Sequence, residues 1–281
     1  MSIHLITQSV VTRGHDVAAP ARSLGWTHTA FVAESPIADA RLLADLEADL
    51  AASGAHPIVF CSLQIARRIR RQHARLARGL FLNEGLLAWS SYAALIDPDM
   101  LLNGRGVLLP WAHLPARAGE LGRIFGDHLF LRPNSPLKPF TGFSVSLDAL
   151  AFEHAAHSQT DRVDPGELVV VCPAKSIAPV EFRFWLIDGA ISSGAPTGAA
   201  YSWDTDSERF DAVAEAPQAM VAAARRLAAT LESHENLLVA DFVMEGDTPR
   251  LVELNPLSTS GFYAALKVGR MLADLGTMLV T

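Results

Sequence analysis

An aspartate, a glutamate and an asparagine near the end of the chain have the residue types and the spacing of a divalent-cation site. Asp241 and Glu253 belong to two apolar segments joined by a turn at 245–249, and Asn255 follows Glu253 by two residues. If the hairpin is symmetric about Asp247, Asp241 lies directly opposite Glu253. Strand alternation then puts Asn255 on the same face, and such a set of hard oxygen atoms suits Mg²⁺ bound jointly with phosphates. The alternative interpretation is a hairpin whose acids point into water.

Two basic residues that follow another apolar segment have the chemistry of phosphate ligands. Arg132 ends a segment that runs into a Pro/Gly-rich loop, and Lys138 lies in that loop. A guanidinium can clamp two phosphate oxygens, whereas an ammonium group on a flexible stem acts as a point-charge partner. Without further context, an Arg-Pro pair is also consistent with a simple turn.

Lysine is rare among the 23 basic residues and occurs only at positions 138, 175 and 267. Codon bias explains the rarity as a whole. A lysine that persists under such bias can nevertheless mark a position at which arginine cannot substitute, because ammonium and guanidinium groups bind differently.

The elements that position these residues fall into two halves of different character. Apolar segments at 3–6 and 57–61 predict buried strands, and the Ala/Leu-rich segment 37–52 predicts a helix between them. Strands that alternate with helices are typical of an α/β layer with a largely parallel sheet. Glycine and proline punctuate residues 104–126, where we place a boundary between domains at 1–115 and 116–281.

The second half is predicted to be α+β with antiparallel strands. Strands are expected at 127–131, 167–172, 182–187, 237–243 and 250–254, with a helix at 217–233. Asp188-Gly189 is a favoured hairpin turn after the third of these strands. The polar segment 192–209 is expected to be a mobile loop.

Composition limits the function classes. The 281 residues are 50% hydrophobic and 19% charged, which excludes a disordered chain and predicts a substantial core. The net charge of −7 gives no overall field that attracts nucleic acid or acidic membranes. No signal peptide and no uncharged apolar run of about 18 residues is recognisable, and Cys61 and Cys172 make no disulfide framework. We therefore expect a cytoplasmic protein.

The segment from Arg67 to Arg78 is a local exception to the acidic balance. It contains six arginines, and Ile65, Ile69 and Leu76 recur at helical spacing between them. Two interpretations remain, a solvated face of an amphipathic helix and a docking surface for an acidic protein partner.

Taken in chain order, these segments resemble the ATP-grasp family. That family has a strand ending in Lys-Pro, a flexible loop, an apolar hinge strand, an acid-x-Arg segment, and then Asp followed by Glu-x-Asn. The corresponding segments here are Leu131-Arg132-Pro133, the loop at 138–142, the strand at 168–172, Glu181-Phe182-Arg183, Asp241 and Glu253-Leu254-Asn255. The resemblance covers about residues 127–265, and the preceding α/β half resembles the domain that usually accompanies this fold.

The resemblance implies an ATP-grasp fold with an N-terminal α/β domain, in which ATP and Mg²⁺ bind between two α+β subdomains. The implied metal ligands are Asp241, Glu253 and Asn255, and the implied nucleotide ligands are Arg132, Lys138, Val171, Cys172, Lys175 and Glu181. Adenine would contact the backbone near Val171 and Cys172. Arg183 would stabilise charge that develops in the reaction, although an ion pair with Glu181 is an alternative for it.

The activity implied by the family is a ligase reaction. A carboxylate attacks the γ-phosphate to give an acyl phosphate, and an amine then displaces phosphate. Arg132 replaces the usual lysine before proline, which resembles a divergent clade that includes the eukaryotic cell-division-cycle translation-initiation assembly factor and phage and bacterial amide ligases. Position 239 is valine, where peptide-ligase branches commonly carry arginine. Two alternatives therefore stay open, an ATP-binding assembly factor that forms no bond and a small-molecule kinase.

Overall fold

The computed structural model describes residues 1–32, 36–161, 163–177, 180–202 and 215–280. These residues form two compact units. Unit 1 comprises Met1–Asn83, Pro179–Asp241 and Asn255–Thr281, and unit 2 comprises Glu84–Ala178 and Phe242–Leu254. Each unit thus combines segments that are distant in the sequence, and the domain boundary at 115/116 stays a prediction.

The strands are extended segments of mostly apolar and β-branched residues. In chain order they are β1 (Ile3–Gln8), β2 (Thr27–Phe31), β3 (His56–Phe60), β4 (Val107–Pro110), β5 (His128–Pro133), β6 (Phe143–Ser146), β7 (Leu168–Pro173), β8 (Val180–Ile187), β9 (Ala190–Ile191), β10 (Ala199–Ser202), β11 (Leu237–Glu245) and β12 (Thr248–Pro256). Every strand predicted from the sequence is present, with bounds that differ by a few residues at most.

The helices vary from single turns to 18 residues. They are α1 (Ser9–Thr12), α2 (Ala18–Ser23), α3 (Pro36–Ser53), α4 (Leu63–Gln72), α5 (Ala74–Ala77), α6 (Glu84–Leu87), α7 (Trp89–Tyr92), α8 (Leu114–Phe125), α9 (Leu150–Thr160), α10 (Gln218–Leu231) and α11 (Val268–Val280). The predicted helices at 37–52 and 217–233 correspond to α3 and α10, and Pro217 directly precedes α10.

Unit 1 contains a parallel three-stranded sheet in the order β2-β1-β3, which confirms the predicted α/β layer. Strands of a parallel sheet are commonly buried on both faces, and β3 is almost entirely apolar and buried. The core of the unit joins β1 and β3 to β8, β11 and α11. Its largest fully buried side chains include Phe60, Trp185 and Phe262.

Unit 2 contains an antiparallel sheet in the order β4-β7-β5-β6. One face of this sheet carries the core, where Leu129, Leu131, Val169 and Val171 pack with side chains of α8 and α9. Side chains alternate along a strand, so Phe130, Arg132 and Cys172 lie on the other face. That second face carries the residues that the sequence analysis assigns to the nucleotide.

A further sheet has the order β10-β8-β11-β12, with β9 paired to β8. The turn between β8 and β9 confirms the predicted hairpin. Asp188 and Gly189 both have positive φ, 52° and 69°, and Ile187 pairs with Ala190 across the turn. Two central residues with positive φ are typical of the type I′ turn that favours tight hairpins.

The single amphipathic helix expected across the arginine-rich segment is wrong. The chain forms α4 and α5 instead, because His73 leaves the helical conformation with φ −132° and ψ 84°. The Glu47 carboxylate then accepts hydrogen bonds from the N–H groups of Arg75 and Leu76, at 2.8 and 2.9 Å, and caps α5. Ile69 and Leu76 are buried as expected.

Two other expectations are corrected by the structure. The segment at 104–126 contains β4 and α8 despite its glycines and prolines, because Pro115 lies in the first turn of α8 and Gly126 ends the helix with φ 86°. Part of the expected mobile loop at 192–209 is strand β10, which pairs with β8 from Ala199 to Ser202. Residues 203–209 lie outside the described part of the chain.

Both cysteines are buried and free. Among the described helices, none combines the length and the apolar character that a membrane-spanning segment needs.

Candidate functional site

Arg132 ends β5, and its guanidinium lies against β12 within unit 2. Nη1 donates to the carbonyl oxygen of Val252 at 2.7 Å, and Nη2 donates to Oε2 of Glu253 at 3.2 Å. The side chain is only 11% exposed. Burial by itself lowers the pKa of Arg132, but Tyr92 and Glu253 outweigh burial and raise it. Arg132 is therefore a fixed cation held by backbone and carboxylate oxygens.

Lys138 binds the same glutamate as Arg132. Its Nζ donates to Oε1 of Glu253 at 2.6 Å, so each carboxylate oxygen accepts from a different cation. The backbone of Lys138 is left-handed with φ 47°, a conformation that is uncommon for a residue with a side chain. The three groups together carry one net positive charge, which suits an anionic ligand. The structure thus brings together both predicted phosphate ligands and one predicted metal ligand.

The predicted hinge strand β7 presents its residues unequally. Val171 is fully buried in the core of unit 2, and β7 pairs with β4 and β5 at this residue, so its backbone groups serve the sheet. Cys172 lies on the opposite face, and its Sγ donates to Oδ1 of Asn103 at 3.2 Å. Burial raises the pKa of the Cys172 thiol to about 12. Of these two predicted adenine contacts, only Cys172 is on the accessible face.

Lys175 lies just beyond β7 and contacts the hairpin of β11 and β12 within unit 2. Its Nζ is 2.9 Å from Oε1 of Glu245, and Arg250 Nε donates to the other oxygen of Glu245 at 2.8 Å. The hydrogen bond from Lys175 is the main cause that lowers the pKa of Glu245. Lys175 and Cys172 both line a cavity of about 310 Å³ in unit 2.

In unit 1, Arg183 and Asp241 form a buried ion pair. Nε donates to Oδ1 at 2.8 Å, Nη2 donates to Oδ2 at 2.6 Å, and the Asp241 side chain is 0% exposed. Asn255 Nδ2 also donates to Oδ2 of Asp241, at 2.9 Å. Burial lowers the pKa of Arg183, but Asp241 outweighs this effect and raises the pKa well above its usual value. Asp241 and Asn255 are thus neighbours, as the sequence analysis expected.

Tyrosine rings surround Arg183. Tyr201 lies opposite Glu181 in the β8–β10 pair and donates its hydroxyl to the Glu181 carboxylate. The Tyr201 and Tyr263 rings are stacked at 4.3 Å, and the Arg183 guanidinium carbon lies 4.6 Å from the Tyr263 ring centroid. Asp241 thus binds Arg183 with both of its oxygens, and the Glu181 carboxylate accepts from a phenol.

A second arginine reaches the same ring. The guanidinium carbon of Arg13 lies 5.0 Å from the Tyr263 centroid. A side chain at Gly261 would place Cβ only 2.9 Å from Arg13 Nε, so glycine is needed there. Arg13 itself has a left-handed backbone with φ 48° at the end of α1. Two guanidinium groups therefore converge on one aromatic ring in unit 1.

The donor chemistry of the predicted metal ligands fits Mg²⁺. Asp241 accepts three hydrogen bonds in the described structure, and a carboxylate offers about four acceptor sites, so a cation can still bind. Glu253 faces Arg132 and Lys138, the residues predicted to hold phosphates. Within the described ranges, no cluster of three or more His, Cys, Asp or Glu side chains could hold a metal, and the predicted set has two carboxylates and an amide.

Sequence reasoning missed Asn103, Tyr201 and Arg13 as neighbours of these sites. Arg13 and Asn103 belong to segments outside the recognised motifs, and no spacing rule connects them to Arg183 or Cys172. Tyr201 was within reach, because a strand opposite β8 would have placed it near Glu181. The polar composition after residue 192 hid that strand.

The comparisons with known proteins agree with this fold. The sequence model of an ATP-grasp domain family, the third family of its clade, matches residues 116–275. No curated protein matches the chain by sequence.

Three solved structures are similar to the whole chain. A RimK domain ATP-grasp protein from Sphaerobacter thermophilus is 14% identical, with TM-score 0.58 and coverage of 98% of this chain and 99% of that one. D-cycloserine synthetase DcsG is 14% identical, with TM-score 0.55 and the same coverage. The ATP-grasp ligase PsnB, in complex with precursor peptide PsnA2 and AMPPNP, is 13% identical, with TM-score 0.54 and coverage of 100% and 99%. At these identities the likeness shows the fold.

Proposed function

Because the chain belongs to this ATP-grasp domain family, we propose that it is an ATP- and Mg²⁺-dependent ligase that joins a carboxylate to an amine. The observation that carries the proposal is the binding of Glu253 by both Arg132 and Lys138. A carboxylate held between two cations is a ready exchange partner for phosphates that arrive with a divalent cation. The similar structures include a synthetase and a ligase crystallised with a peptide and an ATP analogue, which supports the same reaction class.

Each predicted residue has a role in this proposal. Arg132 and Lys138 bind the phosphates of ATP, and adenine occupies the cavity lined by Cys172 and Lys175. Asp241, Glu253 and Asn255 would hold Mg²⁺, which neutralises charge on the β- and γ-phosphates. Val171 is not retained as a nucleotide contact, because the sheet already uses its backbone.

Arg183 serves the reacting carboxylate in this proposal. A substrate carboxylate oxygen bonds to the γ-phosphorus while ADP leaves, and the amine nitrogen then bonds to the acyl carbon while phosphate leaves and a proton is released. Charge grows on the acyl phosphate oxygens in these steps, and a fixed guanidinium stabilises it. Asp241 holds Arg183 through two hydrogen bonds, and Glu181 orients Tyr201 beside it.

Hydroxylamine provides a test that does not require the natural amine. The protein is incubated with MgATP, the twenty amino acids as carboxylates, and hydroxylamine, and the products are analysed by mass spectrometry. The proposal predicts ADP, phosphate and an amino acid hydroxamate in equal amounts. A phosphorylated product that hydroxylamine does not consume would identify a kinase instead.

The assembly-factor alternative is favoured by one observation, the exposure of Arg70, Arg71, Arg75 and Arg78 along α4 and α5. This alternative predicts ATP binding with neither hydroxamate nor phosphorylated product. It also predicts a stable complex with an acidic protein that is lost when these four arginines are replaced by glutamine.

A further inference from the structure

The cavity in unit 2 is bounded by a well-held loop. It has a volume of about 310 Å³ and is lined by apolar side chains such as Leu102 together with Asn103, Lys175 and Glu245. This volume is at the lower end of the range of about 300–1,000 Å³ found for small-molecule pockets. Apolar walls with a few polar groups suit a flat heteroaromatic ring.

Asn103 is the polar side chain that stands out among the residues lining this cavity. The residue is 4% exposed, and its Oδ1 accepts from the Cys172 thiol. Its Nδ2 is buried and has no hydrogen-bond partner among the described atoms. A buried N–H donor without an acceptor costs about 1–3 kcal/mol, so a native protein rarely leaves one without a purpose.

The orientation of the Asn103 amide is fixed by chemistry. The thiol of Cys172 stays protonated near neutral pH, because burial raises its pKa to about 12. A protonated thiol donates, so it binds the amide oxygen and leaves the amide nitrogen on the other side. Reversing the amide would oppose two donors and lose the contact.

The backbone around Asn103 is also fixed. Leu102 N donates to Leu251 O at 2.8 Å, and Gly106 N donates to Asn103 O at 3.0 Å. A Cβ on Gly104 would lie 2.2 Å from the carbonyl oxygen of Pro98, so only glycine allows this close approach. The loop therefore holds the amide nitrogen in place before any ligand binds, which is what a recognition contact requires.

We infer that Asn103 reads the nucleotide base, with Nδ2 donating a hydrogen bond to an acceptor ring nitrogen of adenine in this cavity. This inference rests on the proposed function, because it takes ATP as the ligand. It adds a specificity-determining residue that lies outside the family motifs found in the sequence. Cys172 acts through Asn103 as a positioning residue.

Binding of ATP and three deaza analogues by calorimetry tests the inference in the unmodified protein. The analogues 1-deaza-ATP, 3-deaza-ATP and 7-deaza-ATP each replace one acceptor ring nitrogen with C–H. One of them should bind about tenfold more weakly than ATP, as expected for a lost hydrogen bond that leaves a buried donor unpaired. Equal affinity for ATP and all three analogues would overturn the inference.

The variants Asn103→Leu and Asn103→Asp assign the effect to this side chain. Both should bind ATP about tenfold more weakly than the unmodified protein, and Asn103→Leu should bind the weak deaza analogue as well as it binds ATP. Inorganic tripolyphosphate, which has no base, should bind all three proteins equally. Thermal melting checks that each variant is folded.

The outcomes separate this inference from the proposed function. Unchanged ATP affinity in a folded Asn103→Leu protein, or an equal loss for tripolyphosphate, overturns the role of Asn103 alone. If the unmodified protein binds neither ATP nor tripolyphosphate, the proposed function fails and the inference fails with it.

Discussion

Arg183 and Asp241 are bound to each other by two short hydrogen bonds, of 2.8 and 2.6 Å, in the interior of unit 1. They stand on neighbouring strands, β8 and β11. The sequence analysis gave the arginine a catalytic role and the aspartate a metal-binding role. The pair therefore couples the group proposed to stabilise the acyl phosphate to the group proposed to hold Mg²⁺.

Replacing Arg183 by alanine should destabilise unit 1 strongly. Removal of one partner leaves Asp241 as a buried, uncompensated carboxylate, at a cost of about 3–5 kcal/mol. Urea unfolding followed by circular dichroism measures this change. The double variant Arg183→Met, Asp241→Leu is the matched control and should regain most of the lost stability, because no buried charge remains. Equal losses in the single and double variants would show that packing, and not charge, holds this region.

Replacing Lys138 by arginine keeps the positive charge and should nevertheless weaken ATP use. The longer, planar guanidinium cannot repeat the 2.6 Å contact of Nζ with Glu253 from the same left-handed backbone. We expect the KM for ATP to rise about tenfold, equivalent to about 1.4 kcal/mol. Lys267→Arg, at an exposed position in unit 1, is the control. A fully active Lys138→Arg protein would mean that the rarity of lysine reflects composition only.

Two histidines in the parallel sheet should make unit 1 less stable in mild acid. Burial is the main cause that lowers the pKa of His4 and of His28, and each ring hydrogen-bonds a threonine hydroxyl. In the unfolded chain a histidine binds a proton near its usual pKa of about 6.5. The unfolded state therefore binds more protons below that pH, and stability falls as the pH is lowered.

Melting temperatures measured between about pH 7.5 and 5.5 check this sign. The double variant His4→Gln, His28→Gln should lose less stability on acidification than the unmodified protein. His234→Gln, which changes an exposed histidine, should follow the unmodified protein. If the double variant also follows it, other groups govern the acid response.

The sequence allowed most of the fold to be predicted because local patterns specify it. Apolar runs predicted β1, β3, β5, β7, β8, β11 and β12, and the Asp188-Gly189 pair predicted its turn from residue types that tolerate positive φ. The arginine-rich segment failed because apolar spacing does not reveal a break at one residue. That break depends on a cap supplied by Glu47, which is distant in sequence.

The candidate site was predicted as a set of residues, but not as a set of contacts. The sequence suggested an ion pair between Arg183 and Glu181, since both lie on one face of a strand. The structure shows Arg183 bound to Asp241 with both donor nitrogens, and Glu181 bound to Tyr201. Competition between partners on different strands is decided by tertiary geometry, which spacing along one strand cannot express. Asn103 was missed for the same reason.

The most direct test of the proposed site is the Mg²⁺ dependence of ATP binding in the variant Glu253→Gln. In the unmodified protein, Mg²⁺ should tighten ATP binding, because the metal gives Glu253 a new partner and frees Arg132 and Lys138 for the phosphates. In the variant, metal-free ATP should bind more tightly than in the unmodified protein, and Mg²⁺ should add little.

Glu120→Gln, which removes an exposed carboxylate paired with Arg117, serves as the control and should behave like the unmodified protein. Calorimetric titrations with and without the metal decide the matter. The account predicts that the effect of Mg²⁺ is lost in Glu253→Gln alone. A Glu253→Gln protein that binds ATP and responds to Mg²⁺ as the unmodified protein does would contradict it.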